Sequence, residues 1–261
     1  MKQLPALAAA LALAAPIALA AQMMAATLAP SGTLRGAFLA TNPVQSVVDP
    51  KTKERKGPIP DLVAELGRRL DVPTALLPLA NAAEVIEAVA TGKADIGFLA
   101  YEAERASQVD FSEPYAVMQN AYLVRADSPI KQSSDVDRAG NTVGAVKGQS
   151  QQIFVSSTFK NARVEVLPLM PPPEAIRKML ASGELNGFAA NRGRMEAVAA
   201  GFPEVRVLSD NFLSLGQAIV VPKGDTARLK VINSFVIDAR RTGLIKSSLD
   251  TSAIVGLDPV P

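Results

Sequence analysis

Strand-length apolar runs alternate with amphipathic stretches of helical period along this chain, which predicts an α/β architecture with mostly parallel sheets. Glycines close the helical stretches, as expected of C-terminal caps. Two extended apolar segments, residues 120–125 and 217–221, each open a change of pattern and suit paired connections between two lobes. Strands are predicted at 33–39, 94–99, 142–146, 163–167, 205–208 and 217–221. Helices are predicted at 61–70, where Leu62, Val63, Leu66 and Leu70 share a face behind Pro60 and Asp61, and at 82–91 before Gly92. Further helices follow at 174–182, 194–200 and 226–242. Pro171-Pro172-Pro173 stiffens the entry to the first of these. Phe111, Pro114 and Tyr115 read as a turn leading to the crossing.

The chain opens with Met1 and Lys2 and an apolar run to Ala21 that ends in Ala18-Leu19-Ala20, the small-x-small pattern of a cleavage site. Residues 1–21 are therefore expected to be a cleaved export signal, which places the remainder in the periplasm. The competing reading, a membrane anchor, suffers from Pro5, Pro16 and an alanine-rich composition. Beyond the signal, lobe one is expected over 30–120 plus 222–261 and lobe two over 125–216, with a hinge near 120–125 and 217–221. Such double crossings restrict motion to the opening and closing of a cleft.

The chemistry available is narrow. Zero His, zero Cys and zero Trp in 261 residues exclude imidazole bases, thiol nucleophiles, disulfides and the usual zinc sites, so no metal or cofactor is expected. Lys and Arg number 27 against 25 acids and are scattered, which argues against nucleic acid as a partner. The one local cluster, Lys51, Lys53, Arg55 and Lys56, reads as a solvated hairpin tip. Against this background the stretch FLAYEAERASQVDFSEPY, Phe98 to Tyr115, stands out: it places Arg105 in a loop after a buried strand, a setting that suits an anion.

Several segments, taken in order, resemble the bacterial extracytoplasmic solute-binding proteins of family 3, which deliver amino acids and related molecules to ABC importers. Gly32-Thr33-Leu34-Arg35 and Pro60-Asp61-Leu62-Val63-Ala64-Glu65-Leu66 are similar to that family's first strand and helix. Gly92-Lys93-Ala94-Asp95-Ile96-Gly97, then Glu104-Arg105 and Val109-Asp110-Phe111-Ser112-Glu113-Pro114-Tyr115, form the most specific stretch. Val143 to Ser150 resembles the second binding loop, and Val221-Pro222-Lys223-Gly224-Asp225 the returning segment. The resemblance implies a two-lobed type II periplasmic binding fold, with two sheets joined by a two-strand hinge. It also implies a monomer that closes on its ligand and docks on an inner-membrane permease.

It further implies that Arg105 grips a ligand carboxylate with its planar fork, and that Ser150, with Gln149, presents donors at the start of a lobe-two helix. This sequence departs from the family pattern in five places, one of them Asn186, where the lobe-two strand usually carries an Asp. Ala100 and Glu102 replace hydroxyl residues, Phe98 replaces a glycine, and Asn191 falls where the family carries the acid that binds the ligand ammonium. Leaving a buried ammonium without its acid costs about 3–5 kcal/mol, so a zwitterionic α-amino acid is disfavoured unless Glu102 substitutes. Thr41, Asn42 and Tyr101 complete the expected lining; Phe98 and Tyr101 either stack on a flat ligand or pack as core and loop cover. The implied ligand is a small molecule with an anionic group. Two other functions stay open: a dehydratase of the cyclohexadienyl type using Glu102 as general acid, and a sensory receptor without a transporter.

Overall fold

The structure, a computed structural model, describes residues 22–40, 42–252 and 254–260. The expected export signal at 1–21 and Thr41 lie outside the described residues. Among the described residues no helix is long and apolar enough to cross a membrane.

The chain begins its sheet with β1 (Leu34–Leu39), followed by a small hairpin of β2 (Val47–Val48) and β3 (Arg55–Lys56). Lys51 and Lys53 are exposed at its tip, as expected, whereas Arg55 turns inward over the Phe38 ring at 5.2 Å. Helix α1 (Pro58–Leu70) starts earlier than predicted because Pro58 occupies its first turn, where a missing N–H costs nothing. It buries the predicted face of Leu62, Val63, Leu66 and Leu70. Next come β4 (Thr74–Leu79), α2 (Ala82–Ala90) capped by the Asn81 side chain, β5 (Ile96–Ala100) and a single helical turn α3 (Ala103–Ala106). Arg105 therefore sits on that turn rather than in an open loop. The sequence pattern had not marked β4, whose residues are mostly half-buried.

Strand β6 (Val109–Arg125) runs unbroken for 17 residues. This corrects the expected turn at Phe111, Pro114 and Tyr115. Pro114 is tolerated because the pairing with β11 (Leu213–Pro222) shifts register on either side of Ala218, its partner, so the missing N–H falls at an irregularity. Residues 120–125 and 217–221 do lie on two antiparallel strands, but they do not face one another. Asn120 pairs with Leu213, and Gln217 with Ala116.

The second half contains β7 (Thr142–Val146), α4 (Ser150–Thr158), β8 (Arg163–Leu167), α5 (Pro173–Ala181), β9 (Gly187–Asn191), α6 (Arg192–Ala199) and β10 (Val205–Val207). The chain returns through β11 to α7 (Thr226–Arg241), α8 (Leu244–Ser252) and β12 (Leu257–Pro259). The strand order is β4-β1-β5-β11-β6-β9-β7-β8, with β10 and β12 also on β6. Each half is a parallel group, β4-β1-β5 and β9-β7-β8, entered antiparallel from β11 or β6. Because β6 and β11 belong to both halves, the strands form one hydrogen-bonded path.

In the first half, α1 and α7 cover one face with Val63, Ile232, Phe235 and Val236 against Phe38, Ile96 and Phe98. Helix α2 covers the other face, setting Val85 and Val89 against Ala37, Leu99 and Val220. At the far end of β5, Asp95 is 1% exposed and takes the Arg35 guanidinium at 2.9 and 2.7 Å. Between helices, Glu65 of α1 receives Arg68 and Arg69, and Arg69 continues to Asp238 of α7 at 2.6 Å.

Arg68's hydrogen bond, helped by Arg69, holds Glu65 well below the usual carboxylate range, at about 2. A folded-state value below the unfolded one adds stability that is complete above the unfolded value near 4.5 and fades as pH falls through 2. Melting temperature should therefore decline across that window, and Glu65→Gln should flatten part of the decline. An unchanged acid profile in the variant would assign the effect to other carboxylates.

Candidate functional site

The carboxyl ends of β1 and β5 face those of β7 and β9, the edge where open α/β sheets place ligands. Two side chains span the gap. Arg105, 8% exposed, donates Nη1 to the Ala100 carbonyl at 3.0 Å and Nη2 to the Gly148 carbonyl at 3.2 Å. Asn191 donates Nδ2 to Asn42 Oδ1 at 3.4 Å and caps α6 by accepting from Arg194 N at 2.9 Å. Both contacts join elements of the first half to elements of the second.

The local sequence explains why Arg105 lies where it does. Ala100 ends β5 opposite Gln217, and Glu102 supplies the extended residue that starts α3. That single turn folds Arg105 back over the strand end it has just left. Burial pushes the guanidinium below its usual value, and the nearby charges of Glu102 and Glu104 pull the other way. Neither acid forms an ion pair with it. Among the described residues Arg105 makes no salt bridge, so its charge is held by neutral carbonyls alone. A buried cation in that state is costly and lacks a counter-ion.

Gly148 takes a left-handed φ of 72°, which a residue with a Cβ adopts only under strain, and so turns β7 into α4. Ser150 is the first helical residue, 4% exposed, while half-buried Gln149 holds the cap position without a side-chain cap bond. The turn is less open to an anion than expected. Gly148 N–H already donates to Gln152 Oε1 at 3.0 Å and Gln149 N–H to the Val146 carbonyl.

The aromatic expectation divides. Phe98 is fully buried, edge-on to Tyr115 with centroids 6.1 Å apart, and packs in the core as a strand residue facing α1 should. That burial corrects its placement as a liner. Tyr101 is 52% exposed and rests its ring on Phe111. Arg192, beside Asn191, is occupied by the Leu208 and Asp210 carbonyls and Asn211.

The sequence reading missed a set of buried amides. Gln45, 1% exposed, donates to the Phe98 carbonyl and accepts from Leu39 N. Asn120, fully buried, accepts from Gln151 at 2.5 Å and donates to the Leu213 carbonyl. Gln217 is 1% exposed, and both atoms of its amide lack partners among the described residues. Amides inside apolar strands give no motif, and only their burial reveals them. Among the described residues no cluster of acids could hold a metal ion.

The family model of the bacterial extracellular solute-binding proteins, family 3, matches residues 34–251. The chain belongs to that family. This solute-binding protein is 28% identical over 148 residues to a "Probable histidine-binding protein" of Neisseria gonorrhoeae, a match covering 54% of the chain and 53% of that protein. The match thus spans about half the relative's length. Among solved structures, a mutant of ArgBP from T. maritima is 24% identical with a TM-score of 0.71, covering 88% of this chain and 99% of that one. An ancestral amino acid-binding protein, a precursor of cyclohexadienyl dehydratase, is 22% identical with a TM-score of 0.70, covering 85% and 96%. The solute-binding protein has the two-lobed type II periplasmic-binding-protein fold.

Its C-terminal segment closes on the same site. Gly193, two residues past Asn191, approaches the segment before β12 so closely that a Cβ would lie 2.1 Å from the Val255 carbonyl oxygen. The obstacle is backbone and cannot rotate away. Gly193→Ala should therefore cost about 1–3 kcal/mol or displace residues 254–256. Denaturant unfolding with an unaltered midpoint would show that the segment yields freely.

Proposed function

We propose that this protein is a periplasmic receptor that captures a small carboxylate-bearing organic solute between its lobes and delivers it to an ABC importer in the inner membrane. The supporting observation is Arg105: a guanidinium that is 8% exposed, spans both halves and has no carboxylate of its own. Two carbonyls hold its Nη atoms in place, and a guanidinium has five N–H donors, so others remain for an anion. The remaining candidate contacts on this reading are Ser150, Gln149, Asn42, Asn191, Ala100, Tyr101 and Glu102, together with Thr41. Names of related proteins, a histidine-binding protein and an amino acid-binding ancestor, favour a ligand of amino-acid size.

On this reading, lobe one is residues 30–120 plus 222–261, lobe two is 125–216, and the strands between act as the hinge. Closure is driven by a ligand that touches both lobes, because only differential affinity shifts a conformational equilibrium. The protein acts as a monomer and carries out no chemistry. A dehydratase would need a second acid or base converging with Glu102, and the buried polar residues at this edge are amides and a serine.

Arg105→Ala should abolish ligand-induced stabilisation while leaving the unliganded fold within ~1 kcal/mol of wild type, since an uncompensated buried charge is lost with its two hydrogen bonds. A thermal-shift screen of amino acids, opines, aromatic acids and dicarboxylates measures this. At about a hundredfold over its Kd a ligand adds roughly 2.7 kcal/mol, or several degrees. Wild-type affinity in Arg105→Ala would remove the guanidinium from the site.

A further inference from the structure

Gln217 sits at the cleft edge of β11, paired with Ala100 on one side and Ala116 on the other. Ala100 is the residue whose carbonyl holds Arg105. By the alternation of a strand, Gln217 shares its sheet face with Ala100 and Phe98. Tyr115, whose ring meets Phe98 edge-on, lies in the same buried cluster as Phe98 and Ala100. Three buried polar atoms, Gln217 Oε1, Gln217 Nε2 and Tyr115 Oη, have no hydrogen-bond partner among the described residues. Native interiors hold only a few such groups, and each calls for a partner such as an ordered water, an ion or a ligand. The equally buried amides Gln45, in the turn after β1, and Asn120, on β6, have both atoms engaged, so of these three amides Gln217 is the one without hydrogen-bond partners; elsewhere Ser133 Oγ, Asp210 Oδ1 and Arg228 Nε also lack them.

The buried charge at this edge is Arg105; Glu102 beside it is half-buried and acts on it through space without pairing. Among the described residues Asp95 is the one fully buried acid, and Arg35 occupies it at the opposite end of β5. The buried polar groups near Arg105 are otherwise Gln45, Asn120, Ser150, Gln151, Asn191 and Gln217, all neutral. Such a site balances one carboxylate and, apart from the half-buried Glu102, offers only amides and hydroxyls for whatever else the ligand carries. An amide offers a donor and an acceptor together, the complement of a hydroxyl, keto or carboxamide group.

We infer that Gln217, with Tyr115 beside it, is a specificity-determining contact that reads an uncharged polar substituent, so that the site takes a small carboxylate bearing a hydroxyl, keto or carboxamide group in preference to the corresponding α-ammonium acid. This rests on the receptor reading above and extends it by naming the ligand class. A buried ammonium beside Arg105 would add a second positive charge facing neutral amides.

The test uses matched pairs that share a carbon skeleton: lactate with alanine, 2-hydroxyglutarate with glutamate, and phenyllactate with phenylalanine. Titration calorimetry on the mature protein should show at least one hydroxy acid bound about tenfold or more tightly than its amino twin, a difference of about 1.4 kcal/mol. Gln217→Leu should weaken that hydroxy acid about tenfold or more, with an unliganded melting temperature equal to or above wild type, because an unpaired buried amide has been removed. Gln217→Met, which keeps the unbranched chain, serves if the leucine variant does not fold, and Tyr115→Phe should weaken the same ligand.

An amino acid that binds as well as its hydroxy twin overturns the inference, and loss of that binding in Glu102→Gln would identify the acid responsible. Unchanged affinity in both Gln217 variants overturns it as well and leaves Gln217 structural. In either case binding lost in Arg105→Ala keeps the receptor reading intact. No binding of any pair by wild type overturns the inference, and no shift in the wider screen overturns the receptor reading too.

Discussion

The site depends on one buried guanidinium held by carbonyls instead of a carboxylate. Arg105 joins the end of β5 to the β7–α4 turn through Ala100 and Gly148, and its charge lacks a protein counter-ion. Two neutral hydrogen bonds orient the side chain but do not offset the loss of hydration of a full charge. The fold therefore keeps a cation at its inter-lobe edge in a medium where an anion interacts far more strongly than in water. Glu102 and Glu104 act on it electrostatically without pairing, which leaves its fork available.

The long strands explain how such a residue can be placed with accuracy in a molecule of two lobes. β6 runs through 17 residues and carries partners from both halves: β11 and β12 on the first, β9 and β10 on the second. Asn120 on β6 pairs with Asn191, the residue that reaches Asn42 across the gap. Strand register thus ties β6 to the cleft, and its pairing with β11 is irregular on either side of Ala218. The near contact of Gly193 with Val255 and Gly256 adds a third constraint, because the C-terminal segment lies against the start of α6.

The parts of this architecture legible in the sequence were those set by local pattern. The face of α1 and the glycine ends of helices depend on residues within a turn or two. So does the position of Arg105, which follows from the strand and turn that carry it. The long β6 was misread because Pro114 signals a turn by itself, and only the partner strand shows that its missing N–H is tolerated. Strand β4 escaped because its burial comes from α1 and β1, whose positions the local pattern does not state. Phe98 illustrates the same limit from the other side: adjacent to the binding loop in sequence, it points into the core because strand residues alternate. Gln217 was invisible for a related reason, since an amide in an apolar run reads as an ordinary strand position until its partners are examined.

These observations suggest selection by charge count before shape. Once the lobes enclose a ligand, every charge inside is compared with water, and a pair of opposite charges is far cheaper than an unequal set. On the receptor reading proposed above, a buried guanidinium whose other buried neighbours are neutral amides favours an enclosed ligand of net charge minus one. The amides then discriminate by geometry, because leaving a buried donor and acceptor unpaired is itself penalised by about 1–3 kcal/mol for each group. A site of this kind can reject a ligand that fits sterically but carries one charge too many. If Asn191 stands where the family carries an acid, as the resemblance implies, that one exchange would change the ligand class without altering the fold that presents it.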